Sequence, residues 1–138
     1  MPNESPGSSR WLRFSVQLAA FVVFLSLWTW KLLEPYPVPE SVRGGLASAG
    51  LSFVAAKTLH LLVYTFLTVL GASLSRRWCW WVVAFLMLHG VTTEILQAVL
   101  PFNRTGRVTD VLIDWTGIWL GVLLIWRWNS RARRASEG

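Results

Sequence analysis

Four apolar runs, each close to twenty residues long, leave the 138-residue chain few ways to fold. They cover about Trp11 to Leu33, Phe53 to Leu74, Trp78 to Leu100 and Val108 to Trp128. A helix needs about 20 apolar residues to cross a bilayer core, so each run predicts a transmembrane helix. Only 14% of residues are charged and the mean hydropathy is +0.46, whereas soluble domains carry about 25% charged residues. The expected fold is all-α, a four-transmembrane-helix bundle occupying residues 10–129. A disordered tail over 1–9 and a basic tail over 130–138 complete the domain plan.

The connections support this division. Pro35, Pro37, Pro39 and Gly44-Gly45 interrupt the first, Arg76-Arg77 makes a tight second turn, and Pro101 and Gly106 break the third. Arg10 and Arg13 ahead of an apolar run, with Ala47-Ser48-Ala49 beyond it, imitate a signal peptide. The run is longer than a signal core and the alanines lie too far downstream, so the segment reads as a retained helix. Cys79 is the only cysteine, which excludes an intrachain disulfide and a cysteine-based zinc cluster.

Basic residues gather at the ends of the apolar runs, so the net charge of +6 points to membrane topology and not to nucleic acid. With the N-terminus inside, Arg10, Arg13, Arg76, Arg77, Arg127, Arg131, Arg133 and Arg134 face the cytoplasm. Lys31, Arg43, Arg104 and Arg107 then lie outside, and the positive-inside rule puts both termini in the cytoplasm. Trp11, Trp28, Trp30, Trp78, Trp80, Trp81, Trp126 and Trp128 lie near segment ends, as an interfacial belt would place them.

Three of the four segments carry ionisable groups, which are costly at membrane depth and mark candidate functional sites. Lys57, His60, Tyr64, Thr68 and Gly71 share one helical stripe; Gly90, Glu94, Gln97 and Pro101 make a second; Asp110, Asp114, Gly117 and Gly121 a third. These faces should turn inward. Gly117 and Gly121 form a GxxxG pair, for which close helix packing is explanation enough. At 1.5 Å rise per residue, Lys57, Glu94 and Asp114 each fall roughly 6–9 Å below the outer boundary. Arg104 and Arg107 would cap this charged cup from the outer loop. His89 lies off the Glu94 stripe and reads as a packing residue.

The ordered set resembles the VanZ-like family of small bacterial membrane proteins. The resemblance rests on Lys57-Thr58-Leu59-His60 with Tyr64, on Glu94-Ile95-Leu96-Gln97, and on Pro101, Arg104, Asp110, Gly117 and Gly121. It covers about Val54 to Leu124. Ala56 stands where the family commonly has Asp, and Asp114 where it commonly has Asn, adding a negative charge to the cup. The resemblance implies a multi-pass protein of the bacterial cytoplasmic membrane and a link to the cell envelope. The family's namesake is associated with low-level resistance to teicoplanin, a glycopeptide acting on cell-wall precursors outside the membrane.

The leading expectation is a site for an anionic envelope lipid or lipid-linked glycan. Lys57 and Arg104 would hold a phosphate, with Gln97, Asp114 and Tyr64 also on the substrate. Glu94 would act as acid or base, Asp110 would orient it, and His60 would carry a proton. The alternative is a non-enzymatic module whose charges, Lys57 with Glu94 and Arg104 with Asp110, hold the bundle together. A carrier would require a homodimer, since four helices are few for a transport path. No cofactor is expected; a metal on His60, Glu94, Asp110 and Asp114 is disfavoured because Lys57 would repel it.

Overall fold

The computed structural model describes residues 6–34, 52–75, 77–100 and 106–137. Among these residues there are four helices and no strand: α1 (Pro6–Leu33), α2 (Ser52–Leu74), α3 (Cys79–Val99) and α4 (Val108–Glu137). Each contains a stretch long and apolar enough to cross a membrane, so the chain has the expected all-α, four-span architecture. Two ends extend further than sequence pattern alone suggests. α1 starts at Pro6, inside the segment expected to be disordered, and proline is well tolerated at a first helical position. α4 continues past Trp128 through the basic segment to Glu137, because Arg and Ala are strong helix formers and no Pro or Gly intervenes. Pro101, Arg104, Arg76, Arg43 and the proline-rich first connection lie outside the described residues.

Consecutive helices run antiparallel. α1 meets α2 through Trp28 on His60 and Phe24 on Phe66, and α3 meets α4 through Trp80 on Trp119. α2 and α4 therefore run parallel, and theirs is the most extensive pairing. α2 and α3 each touch the other three helices, whereas α1 and α4 do not touch among the described residues.

The α2–α4 contact depends on the GxxxG pair. A Cβ on Gly117 would lie 2.5 Å from the Leu61 carbonyl oxygen, and one on Gly121 would lie 2.6 Å from the Thr68 Cβ. Backbones this close exclude any larger side chain, which is how small residues promote helix packing in lipid. Thr65 fastens the seam, its single hydroxyl proton shared between the Gly117 carbonyl at 2.9 Å and the Leu61 carbonyl at 2.7 Å.

Phe21, Trp28, Leu32, Tyr64, Leu67, Val83, Leu86 and Ile118 form the core. Val22, Val23, Leu62, Leu88, Leu112 and Leu123 are exposed on the helix exteriors, where acyl chains would cover them. Trp28 departs from the belt expected for the tryptophans, since it is buried against His60. Phe21, Leu25, Trp28 and Leu32 follow i, i+4, i+7, i+11, so Trp28 belongs to the buried stripe of α1 and not to its interfacial end.

Replacing Gly117 by Ala should therefore lower unfolding stability by about 1–3 kcal/mol, because the new methyl meets backbone and not a movable side chain. Leu123→Ala, on the lipid face, should change it by about 0.5 kcal/mol or less. Circular dichroism during SDS titration of both variants in mild detergent checks the contrast.

Candidate functional site

The parallel register of α2 and α4 brings the polar N-terminal ends of both helices together. Lys57 forms an ion pair with Asp110, one turn above His60, whose Nδ1 donates to Asp114 Oδ1 at 2.9 Å. The Lys57 and Asp110 side chains remain 14% and 15% exposed, so this pair is the accessible rim, while Asp114 below it is 0% exposed. Trp28 packs edge-on against the His60 ring, with centroids 5.2 Å apart. An ionised Asp114 is an acceptor only, so the proton between them sits on Nδ1 and the lone pair on Nε2. That second nitrogen has no hydrogen-bond partner among the described residues.

Glu94 enters the same end of the bundle from α3. Its Oε2 accepts the Arg107 backbone N–H at 2.6 Å, while Oε1 is buried without a hydrogen-bond partner. Gly106 makes this possible: it lies so close to the Glu94 carbonyl oxygen that a Cβ would overlap it. Asp114 Oδ2 lies buried on the Tyr64 side, within reach of its hydroxyl. Gln97 turns toward α1 instead, its amide donating to the Leu32 carbonyl at 2.9 Å.

Below Asp114 a further chain of hydrogen bonds crosses from α2 to α1 through α3. The Tyr64 hydroxyl is 3.0 Å from His89 Nδ1, and His89 Nε2 is 2.8 Å from the Thr29 hydroxyl. Thr29 donates its only proton to the Leu25 carbonyl at 2.8 Å, so it must accept from His89. His89 is thereby placed in the Nε2–H tautomer, with Nδ1 accepting from Tyr64.

Of the three stripes predicted to face inward, Tyr64, Thr68, Gly71, Gly90, Glu94, Gln97, Asp114, Gly117 and Gly121 are buried, while Lys57, His60 and Asp110 are part-buried. The ion pairing differs from the one anticipated. Lys57 pairs with Asp110 and not with Glu94, because the α2–α4 seam places their two N-termini side by side. Arg104, the expected anion-binding partner of Lys57, lies outside the described residues. Three contributors were not anticipated: His89 as a bridge, the Arg107 main-chain N–H on Glu94, and α1, which supplies Trp28, Thr29 and the Leu32 carbonyl. The buried α1 stripe was visible in sequence spacing; a main-chain donor was not. Among the described residues no three of His, Cys, Asp and Glu converge as metal ligands.

Removing either partner of the Lys57–Asp110 pair leaves a charge at the rim. A cycle of Lys57→Met, Asp110→Asn and the double variant should give a coupling of about 0.5–3 kcal/mol in detergent unfolding. Nitrogen-15 NMR of labelled histidine should show His89 as neutral Nε2–H, and a pure Nδ1–H signal would contradict the direction of the Thr29 bond.

The VanZ/LLP1 family model matches residues 3–129, so it takes in α1 as well as the three helices that carry the polar stripes. No curated protein and no solved structure matches the chain. A match over nearly the whole chain, on a bundle whose three inward stripes carry the expected polar residues, makes this four-span protein a member of the VanZ/LLP1 family.

Proposed function

We propose that this protein sits in the bacterial cytoplasmic membrane with both termini inside, and that its polar end binds an anionic envelope lipid or lipid-linked glycan at the outer leaflet. The observation that carries the reading is the His60–Asp114 pair beneath the Lys57–Asp110 rim. Lys57 at the rim offers an ammonium to a phosphate, and Asp110 holds it in place until an anion arrives. His60 then stands one helical turn deeper, with Nε2 as the proton acceptor and Asp114 fixing its tautomer. Asp114 is fully buried, which suits a positioning role on His60 better than direct contact with a ligand. Glu94 Oε1 supplies a second acceptor in the same space.

In this reading the protein holds its ligand on the side of the membrane where glycopeptides meet cell-wall precursors, which connects it to glycopeptide susceptibility. A reaction, if one follows binding, is proton transfer at the ligand by His60 or Glu94.

The second reading, a non-enzymatic module held together by its charges, draws on the fact that both ionic pairs bridge α2 and α4. Against it stands the buried Glu94 Oε1 without a partner, since a cluster built only for stability should leave no acceptor unmatched.

Native mass spectrometry in mild detergent separates the two. Wild type should carry an anionic lipid that Lys57→Ala and Glu94→Gln lose while keeping their helical content. Identical lipids on all three proteins would leave the charges as bundle contacts and defeat the binding reading.

A further inference from the structure

The opposite end of the bundle carries a second, unrelated feature. An open cavity of about 640 Å³ lies between the start of α1 and the turn that joins α2 to α3. Arg10, Arg13 and Gln17 line it from α1, and Ser75 and Trp78 face them from the turn. The three α1 residues follow i, i+3, i+7 and so share one helix face. Phe14 and Leu74 complete the lining with apolar surface.

The charge here is not balanced locally. Neither arginine has a carboxylate partner among the described residues, and the first turn of α1 holds no acid. Four of the five described acids, Glu34, Glu94, Asp110 and Asp114, lie at the far end of the bundle; only Glu137, at the tip of α4, does not. Trp11 and Trp78 are largely exposed on the cavity's edge, at 72% and 61%, which sets this level at a membrane–water interface.

We propose that this groove is a binding site for an anionic phospholipid of the leaflet at that end. Its phosphate is gripped by the Arg10 and Arg13 guanidiniums, whose planar forks match phosphate oxygens. Gln17 and Ser75 hydrogen-bond the remaining headgroup, and one acyl chain runs down over Phe14 and Leu74. The volume suits a headgroup with the start of a chain, within the 300–1,000 Å³ usual for small-molecule sites. Basic pockets between helices are an established way of recognising anionic headgroups. The site is independent of the His60–Asp114 pair, which lies near the other membrane face.

The test is tryptophan quenching by brominated lipids in reconstituted full-length protein, with the groove signal taken as the part lost in a Trp11→Phe/Trp78→Phe variant. Brominated phosphatidylglycerol should displace phosphatidylcholine from the groove with roughly tenfold preference, two arginines each favouring the anionic lipid several-fold. Arg10→Gln/Arg13→Gln should abolish the preference with helical content unchanged, and Arg13→Gln alone should reduce it. Arg127→Gln/Arg131→Gln and Lys57→Ala should leave it intact. Loss of preference in Arg127→Gln/Arg131→Gln would reduce the effect to diffuse positive charge and overturn the site. Survival of the preference in Arg10→Gln/Arg13→Gln would overturn it as well. So would competition by soluble glycerol phosphate as effective as that of the lipid, which would make it a free-phosphate site.

Discussion

Two helix backbones approach each other this closely only where neither carries bulk at the crossing, and α4 meets that condition at Gly117 and Gly121. Lipid tails give apolar helices little reason to prefer each other over solvent, so steric fit and hydrogen bonds across the seam decide the pairing. Thr65 contributes one such bond directly, from its hydroxyl to the Gly117 carbonyl. The register set there propagates one turn up to His60 and Asp114, and another to Lys57 and Asp110. A slip of one residue along either helix would swing the partners by about 100° and break both ionic contacts at once.

Charge burial is the second constraint. Taking an ion out of water costs several kcal/mol even after relaxation, so each charge at this end requires an answering group. Lys57 and Asp110 answer each other while keeping some access to the surface. Asp114 has the imidazole of His60, and Glu94 has a main-chain N–H that only a glycine neighbour could bring so near. One oxygen of Glu94 remains unmatched, and that residual demand distinguishes the cluster from a plain interhelical brace.

Much of this was legible before any coordinates. The spacing of Lys57, His60, Tyr64 and Thr68, of Gly90, Glu94 and Gln97, and of Asp114, Gly117 and Gly121 placed three inward faces correctly, because helical period maps sequence onto face. Periodicity says nothing about which face meets which. Hence the pairing of Lys57 with Asp110 required the parallel α2–α4 contact, and the anticipated Lys57–Glu94 pair does not occur. His89 escaped for a related reason: it is off the Glu94 stripe and reaches the network sideways, through Tyr64 and Thr29. The position of Trp28 near a segment end outweighed its membership of the Phe21–Leu25–Trp28–Leu32 stripe, although that stripe was present in the spacing.

The unbroken run of α4 from Val108 to Glu137 has a mechanical meaning. Its 30 residues extend about 45 Å, against roughly 30 Å for the hydrocarbon core of a bilayer. The same rigid rod that holds Asp110 and Asp114 near one membrane face therefore stands clear of the other, ending in a stub with Arg131, Arg133 and Arg134. No Pro interrupts the helix between those points, and its two glycines, Gly117 and Gly121, are clamped against α2, so the rod is braced where it would most easily bend. With the glycine seam as fulcrum, the two ends form a lever: a force that tilts the stub moves the acids at the opposite end in the contrary direction.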